Sequence, residues 1–362
     1  MDSGLLWLLL FPVIWPVVAL FWLRDTICWR EMLLNIVIVV VVVAGVWYAG
    51  KYTDMADTEV WNGEITKKYR DHGTYVVSYP CNCVTTCSGG KTRVCSTHCQ
   101  TCHTTHYTVT WGAKSTAGDI RLDHRDSTSR SVYNTPDPKQ YKDCAVGQPA
   151  SVEHSYTNYV KAVPESLFHL NPRLDQYADK IPAYPRVFNY YRINRVLNVG
   201  SQIDVKPLND LLNDRLKKIG PKKQVNFVVI VTEIDDPNYK FAVENAWLAG
   251  KKNDLIVYIG LDGDKITWAD ATVWIKNAGN EMTAVVVRDH LTALKTFDTV
   301  KVADALSGVA MEHYKRPEMQ QYEYLLDEID PPLWAVILAL ILSIGGSLLL
   351  TYYFHKNEVF DK

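Results

Sequence analysis

Residues 225–232 read VNFVVIVT, a run in which six of the eight side chains are apolar. A strand with apolar residues at consecutive positions is typical of a sheet that is covered on both faces. The preceding residues 205–219 carry leucines and isoleucine at helical spacing. We predict that this helix stops at Gly220-Pro221, because glycine caps helix ends and proline cannot continue a helix. A helix followed by a buried strand is the start of an α/β unit.

The residues that follow alternate between helical and extended patterns. Residues 239–249 predict a helix capped by Gly250, and residues 254–260, DLIVYIG, predict a second apolar strand. Further elements are a strand over 265–272, a shorter strand over 283–287 and a closing helix over 300–314. This order of elements indicates an α/β layer fold.

This segment resembles the TPM domain, a family named for thylakoid, photosystem-repair and membrane-associated proteins. The resemblance covers residues 198–317 and rests on VNFVVIVT, on FAVENAWLAGKKNDLIVYIGLDGDKITW at 241–268 and on the closing helix. In that family a helix ending in Trp and Gly precedes an Asn, an apolar strand and a hairpin, and Trp247, Gly250 and Asn253 match that pattern. The family's small-residue, Gly-rich stretch after the hairpin is replaced here by ITWADATVWIKNAG.

The resemblance carries implications for function. Some TPM-family members are acid phosphatases, and others are assembly factors or accessory subunits of membrane complexes. The whole arrangement is also similar to uncharacterised membrane proteins of large tailed bacteriophages. That similarity implies insertion into the inner membrane of a bacterial host.

Three apolar segments, residues 5–23, 32–49 and 333–354, approach the length of about 20 residues that crosses a bilayer. The first two predict a transmembrane hairpin within residues 1–50, because no basic n-region or cleavage site marks a signal peptide. Arg24 and Arg30 lie in its turn, and Lys356 and Lys362 follow the last segment. These positive charges predict that the turn and the C-terminus are cytoplasmic. Residues 50–330 would then be extracytoplasmic, and the lipid bilayer is the first expected partner.

Residues 51–160 predict a β-rich module. Residues 58–66, 74–79 and 106–111 alternate apolar and polar side chains, as half-buried strands do. We therefore expect a small antiparallel barrel or sandwich, with a Cys-rich loop between its second and third strands. Residues 161–197 predict an ordered connection to the α/β domain. Its Tyr and Arg residues are expected to pack between the modules or to bind a partner.

Six cysteines fall within 22 residues of this module: Cys81, Cys83, Cys87, Cys95, Cys99 and Cys102. In an extracytoplasmic segment such spacing favours disulfides, although the sequence does not choose among 15 pairings. Zinc is an alternative, since cysteines and histidines exceed the four ligands it needs. Haem c is another, because CQTCH places Cys99, Cys102 and His103 in the attachment pattern. We favour disulfides, because the polar flanks offer haem no apolar pocket and the oxidising compartment disfavours zinc thiolates.

Five aspartates lie near predicted strand ends: Asp235, Asp236, Asp254, Asp262 and Asp264. Carboxylates there could hold a divalent metal, and hard oxygen ligands point to Ca²⁺. The alternative is turn chemistry. Asp235-Asp236-Pro237 suits a helix start, and Asp262-Gly263 suits a tight hairpin.

The net charge of -2 gives no reason to expect nucleic acid. No nucleophile elbow, phosphate loop or HExxH motif is present in the sequence. We therefore predict a non-enzymatic, membrane-anchored binding or assembly protein, whose partner is a membrane protein or a second copy. The alternatives are a metal-dependent phosphatase of the TPM type and an electron carrier that uses the CQTCH motif.

Overall fold

The computed structural model describes residues 3–88, 94–160, 175–188, 192–274, 280–357 and 359–360. Two helices, α1 (Ser3–Trp22) and α2 (Trp29–Met55), form a hairpin at the start. Both are long and apolar enough to cross a membrane. α2 passes directly into a strand, because β1 begins at Ala56, the residue after Met55. No loop therefore separates the apolar helix from the first sheet.

That first sheet is antiparallel. Its strands are β1 (Ala56–Ser88), β2 (Val94–Ser115), β3 (Gly118–Ser127) and β4 (Pro149–Thr157), in the order β3-β2-β1-β4. The sheet curls into a half-barrel around a small core that includes Ile65, Ala113, Ile120 and Leu122. Neither a closed barrel nor a two-sheet sandwich forms from the described strands. The predicted antiparallel β module is therefore confirmed, but it is a half-barrel rather than the predicted barrel or sandwich.

The predicted Cys-rich loop is wrong, because the stretch is regular β structure. β1 runs through residues 67–71, whose charged side chains hid the alternation, and pairs with β2 as far as Ser88 and Val94. The Cys-rich residues stay extended although they have no core beneath them. Their backbone groups are paired across the hairpin, and covalent bonds join the two strands.

Short elements connect the first sheet to the second. A 3₁₀ turn at Arg130–Asn134 and the helix α3 (Lys139–Asp143) lie between β3 and β4. Of the predicted connection, residues 161–174 and 189–191 lie outside the described part. The rest contains a 3₁₀ turn at Asp175–Lys180 and a two-stranded pair, β5 (Val187–Phe188) and β6 (Arg192–Ile193).

The second sheet has the order β10-β9-β8-β7. β7 (Val196–Val199), β8 (Asn226–Thr232) and β9 (Asp254–Asp262) are parallel, and β10 (Lys265–Val273) is antiparallel. The helices are α4 (Lys206–Lys223), α5 (Tyr239–Ala246), α6 (Asn280–Leu294) and α7 (Thr299–Glu312). Every residue of β8 is buried, as the apolar run predicts.

Helices cover both faces of this sheet. Leucines of α4 pack with α6, α7 and the odd-numbered side chains of β8, whereas α5 packs with the even-numbered ones. The strand order advances in one direction from β7 to β9, yet α4 and α5 lie on opposite faces. The two crossovers therefore have opposite hands, and one of them is left-handed, which is rare in parallel sheets.

Two predictions in this domain are wrong. Residues 283–287 are helical rather than extended, because Thr283, Val287 and Leu291 lie on the buried side of α6 at helical spacing. Tertiary packing of this helix outweighs the intrinsic preference of its β-branched residues for strands. α4 also continues through Gly220-Pro221 and ends where Gln224 adopts a left-handed φ of 51° and donates to the Gly220 carbonyl. β7 was not predicted at all.

A third apolar helix closes the chain. After a 3₁₀ segment at Met319–Glu328 come α8 (Leu333–Ile341), a π-helical turn at Leu342–Gly346 and α9 (Ser347–Asn357). Polar bonds join it to the hairpin: Asn35 Nδ2 donates to the Ser347 carbonyl (3.1 Å) and to Thr351 Oγ1 (3.0 Å). Trp15 Nε1 donates to the same hydroxyl at 3.1 Å. Such bonds bind helices together where lipid removes the hydrophobic driving force.

Candidate functional site

The outer part of the β1–β2 hairpin has no third strand beside it. We call it the arm and define it as residues 75–88 of β1 and 94–106 of β2. β3 pairs with β2 only from Tyr107 onward, and β4 pairs with β1 only up to Glu64. At about 3.3 Å per residue the ribbon is about 40 Å long. The sequence-predicted cysteines all lie on it.

Three disulfides cross the arm: Cys81–Cys102, Cys83–Cys99 and Cys87–Cys95. The preference for disulfides is confirmed in the sense that all six cysteines lie in bonded pairs. A lone two-stranded hairpin is only marginally stable in water, and none of the arm side chains in the described set is buried. Cross-links over 8, 16 and 21 residues reduce the entropy of the unfolded ribbon and so replace the missing core.

One face of the arm carries an apolar stripe. Tyr75, Val77 and Tyr79 alternate onto that face and are 45%, 39% and 45% exposed. A bulge between Cys81 and Val84, where Asn82 has a φ of 47°, adds one residue to β1. Val84, 65% exposed, therefore joins the stripe instead of the opposite face.

The arm also lacks the four strongly charged residue types, although the connecting residues 89–93 include Lys91 and Arg93. Its 27 residues include no Asp, Glu, Lys or Arg, although these make up 22% of the chain. Exposed protein surface is normally rich in such residues. An exposed surface without them shares the depletion of charge found at the centre of protein interfaces, where tyrosine is also enriched.

Asp126, near the end of β3, fixes the base of the arm. Its carboxylate accepts hydrogen bonds from the Tyr75 hydroxyl and from His106 Nδ1, the latter at 2.8 Å. The rings of Tyr75 and His106 stack at 5.0 Å. The bonds from Tyr75 and then His106 hold the pKa of Asp126 below its usual range. These bonds attach the first residue pair of the arm, Tyr75 and His106, to β3 of the half-barrel.

The disulfides occupy the haem-attachment thiols. Cys99 and Cys102 belong to two different disulfides, and His103 Nδ1 is hydrogen-bonded to Ser78 Oγ at 2.8 Å. In this state neither thiol is available for a thioether bond to haem or for a zinc thiolate. Within the described ranges, no group of three or more His, Cys, Asp or Glu side chains is arranged to hold a metal ion.

Four of the five predicted acidic residues lie at the carboxyl end of the second sheet. Two of them, Asp236 and Asp262, stabilise or flank turns. Asp236 accepts from the backbone and side-chain amides of Asn238 and from Tyr177. Asp262 pairs with Lys265 across a two-residue turn in which Gly263 has a φ of 63°. Glycine at the first central position is typical of a type II′ hairpin turn. The Ca²⁺ hypothesis for these residues stays a prediction.

Asp254 lies at the opposite end of the sheet, because it begins β9 whereas Asp262 ends it. Eight strand residues, about 26 Å, separate the two, so they cannot share an ion. Asp254 is buried and accepts from Tyr184 (2.8 Å), Asn226 (2.8 Å) and the Lys251 amide (2.7 Å). Burial raises the pKa of Asp254 to about 6 despite these bonds.

Sequence reasoning missed the role of Arg195. This fully buried residue precedes β7, and its guanidinium bonds acceptors from both modules. The acceptors are the side chains of Asn62, Ser151, Asn213 and Asn226 and the Phe227 carbonyl. Burial lowers the pKa of Arg195 to about 9, so the group remains a cation at neutral pH. The only signal in the sequence was its position between Ile193 and Val196, which are also buried.

Three further contacts join the two modules. Glu59 of β1 is 2% exposed and pairs with Arg316, which donates through Nε at 2.9 Å and through a terminal nitrogen. Lys252 lies 3.5 Å from the same carboxylate. Close by, Asn253 bonds the backbone of Val60 in both directions. The half-barrel and the α/β domain therefore meet through hydrogen-bonded side chains of Glu59, Asn253 and Arg316.

A cleft of about 320 Å³ opens at the carboxyl ends of β7 and β8. Open α/β sheets bind ligands at this end of the strands. Lys180, Asp179 and Glu233 are its charged lining residues, and none of the five predicted aspartates is among the lining. Gly200, with a φ of 84°, gives Glu233 room there, since a Cβ would lie 2.5 Å from its Oε1.

Comparison with models of known protein families, with curated proteins and with solved structures finds no match to this chain. What the chain does is therefore inferred from its own geometry. The arm and its rigid attachment are the features from which a function follows.

Proposed function

We propose that the chain is a membrane-anchored, extracytoplasmic binding or assembly protein whose binding element is the arm. The observation that carries this proposal is a ribbon of 27 residues without one Asp, Glu, Lys or Arg, in which none of the described side chains is buried. Interfaces are depleted of charge at their centres and enriched in tyrosine. Tyr75 and Tyr79 of the stripe are of the residue type that anchors such contacts, and Val77 and Val84 add exposed apolar area beside them.

The cross-links support a role in binding because they preorganise the surface. A flexible hairpin would lose conformational entropy on binding, and that loss weakens affinity. Three disulfides and the Asp126 bonds fix the ribbon before a partner arrives. A ribbon with no core of its own and three cross-links is suited to recognition.

The connection to the membrane supports a scaffold. α2 runs into β1 without a loop, and the inter-module contacts of Arg195 and Glu59 join the α/β domain to the same strand. Near the membrane, Gly50 of α2 packs so closely on α8 that a Cβ would lie 2.4 Å from that of Ala335. A force applied to the arm by a bound partner would therefore be transmitted to the apolar helices through directly connected and closely packed elements.

Exposed aromatic residues support insertion of the three helices into a bilayer. Phe21, Trp22 and Trp29 lie at one end of the bundle, and Trp7, Tyr48 and Trp334 lie at the other. Trp29 and Tyr48 are 19 residues apart, or about 28 Å along a helix. That matches the hydrocarbon thickness, at whose borders aromatic residues collect. Arg24 and Arg30 in the hairpin turn favour a cytoplasmic location for that end.

We also propose that the α/β domain is a TPM domain of the kind found in assembly factors, as the sequence resemblance implies. Helices on both faces of a mostly parallel sheet are compatible with that assignment. An envelope or membrane protein complex is the proposed target. Residues 198–317 would then position the arm rather than carry out hydrolysis.

Site-specific photo-cross-linking in intact membranes tests the proposal. A photoreactive amino acid replaces Tyr79 on the arm in one variant and Phe241, 47% exposed on α5, in the other. We expect a discrete protein adduct from position 79 and none from position 241. A further variant carries the photoreactive residue at position 84, and the proposal fails if neither position 79 nor position 84 gives an adduct. Hydrolysis of a phosphate ester by the purified chain would then favour the phosphatase alternative.

A further inference from the structure

The two long edges of the arm differ in how open they are. On the β1 side, Pro80 lacks a backbone donor, and the bulge at Asn82 interrupts the strand. Both features are ways in which proteins protect strand edges from pairing. On the β2 side, residues 95–106 contain no proline, no bulge and no Asp, Glu, Lys or Arg. The β2 edge is the unprotected one.

The register shows which backbone groups point out of that edge. In an antiparallel ladder, directly opposed residues alternate between wide, hydrogen-bonded pairs and narrow pairs whose N–H and C=O groups point outward. Cys87 and Cys95 are opposed with Cα atoms 4.0 Å apart, which marks a narrow pair. Pro80 opposes Thr101, and a proline can occupy only a pair that needs no donor. Odd-numbered residues from 95 to 105 therefore direct their peptide groups outward.

We infer that the β2 edge of the arm, residues 95–106, pairs with the same edge of a second copy of this chain. This inference rests on the proposed function and names the partner. Two ribbons joined in this way form a four-stranded sheet, which crosses the threshold of about three strands needed for independent stability. The lack of Asp, Glu, Lys and Arg in residues 95–106 is compatible with self-pairing, because opposed identical residues of that type would repel each other.

The membrane anchor favours a second copy over a soluble partner. Three apolar helices hold every copy in the same orientation and at the same height relative to the bilayer. Identical edges therefore meet in one plane and at a raised effective concentration. Pairing through the β2 edges stops at two copies. The only edges of the arm left exposed in such a dimer are the β1 edges, which are protected against further pairing.

A matched pair of variants separates edge pairing from damage to the ribbon. Thr85 and Thr97 oppose each other, lie in a narrow pair like Cys87 and Cys95, and share one hydroxyl bond of 2.9 Å. Thr97→Pro removes an outward donor from the β2 edge, and Thr85→Pro removes the equivalent donor from the β1 edge. Both lose the same hydroxyl bond, and neither removes a donor from the β1–β2 ladder.

The mass of the full chain in detergent is measured by light scattering for the wild type and both variants. Disulfide mapping confirms that each variant keeps its three bonds. We expect the wild type and Thr85→Pro to form dimers of the 41.2 kDa chain, and we expect Thr97→Pro to raise the dimer dissociation constant at least tenfold. An approximately tenfold rise in ionic strength should change the wild-type constant less than twofold, because residues 95–106 contain no Asp, Glu, Lys or Arg.

A monomeric wild type, or equal effects of the two variants, overturns the inference. If a proline variant loses its disulfides, Thr97→Lys and Thr85→Lys are compared in the same way, since an edge lysine also blocks pairing. A photoreactive residue at position 98 separates the two proposals. An adduct of two copies supports self-pairing, whereas an adduct with a different protein overturns self-pairing but leaves the proposed binding role intact.

Discussion

The side-chain amide of Asn253 pairs with the backbone of Val60 as a neighbouring strand would. Asn253 Nδ2 donates to the Val60 carbonyl at 2.7 Å, and Asn253 Oδ1 accepts from the Val60 amide at 3.3 Å. A third bond goes from Nδ2 to the Gln224 carbonyl at 2.9 Å. One buried side chain of the α/β domain thus completes the edge of β1.

Asn253→Ala should therefore destabilise the chain. It leaves buried backbone groups of Val60 and Gln224 without partners, which costs about 2–4 kcal/mol. We expect the thermal unfolding midpoint in detergent to fall by about 5 °C or more. Asn357→Ala, which removes an exposed amide bonded to the Tyr353 carbonyl, is the control and should have little effect. Equal shifts for both variants would show that Asn253 contributes nothing special to the interface.

Asp254 should give the chain a pH dependence of stability. Its folded-state pKa of about 6 lies above the unfolded value of 3.8, so the folded state binds the proton more tightly. The contribution is complete below about pH 4 and is lost as pH rises through 6, at a cost of at most about 3 kcal/mol. In chemical unfolding, Asp254→Asn should lack this decline, whereas Asp262→Asn should keep it. An unchanged profile in Asp254→Asn would exclude this carboxyl as the source.

Removing the Asp126 carboxylate should loosen the arm without unfolding the half-barrel. Asp126→Ala deletes the acceptor of both Tyr75 and His106. Backbone amides at the base of the arm should then exchange with solvent faster by hydrogen-exchange mass spectrometry, while those of β3 and β4 stay protected. Asp123→Ala removes a neighbouring carboxylate that lies 3.6 Å from Arg125 and serves as the control. Faster exchange in both variants would argue against a specific clamp.

The sequence predicts the strongly periodic parts of the fold well. The three apolar helices, the buried strand β8 and the helix α7 follow directly from runs of apolar residues at the spacing of each element. The strand predicted for residues 283–287 is wrong because three successive valines favour a strand when only the local sequence is considered. Packing of Thr283, Val287 and Leu291 against the sheet decides in favour of a helix.

The arm and the inter-module lock could not be predicted from local patterns. Regular strands without a core give no apolar alternation through the Cys-rich residues, and the bulge at Asn82 shifts the face of Val84. Arg195 looks like a surface cation until Asn62 and Asn226, 133 and 31 residues away, are brought beside it. Disulfide pairing depends in the same way on the register of two strands.

An oxidised arm outside the cytoplasm is the claim on which the binding role depends. Intact spheroplasts that express the chain are labelled with a membrane-impermeant thiol reagent, either directly or after treatment with a membrane-impermeant reductant. A third sample is permeabilised before labelling. The labelled cysteine peptides are identified by mass spectrometry. We predict that the six arm cysteines are labelled only after reduction and that Cys28 is labelled only after the membrane is permeabilised. Labelling of the arm before reduction, or of Cys28 in intact spheroplasts, would contradict it.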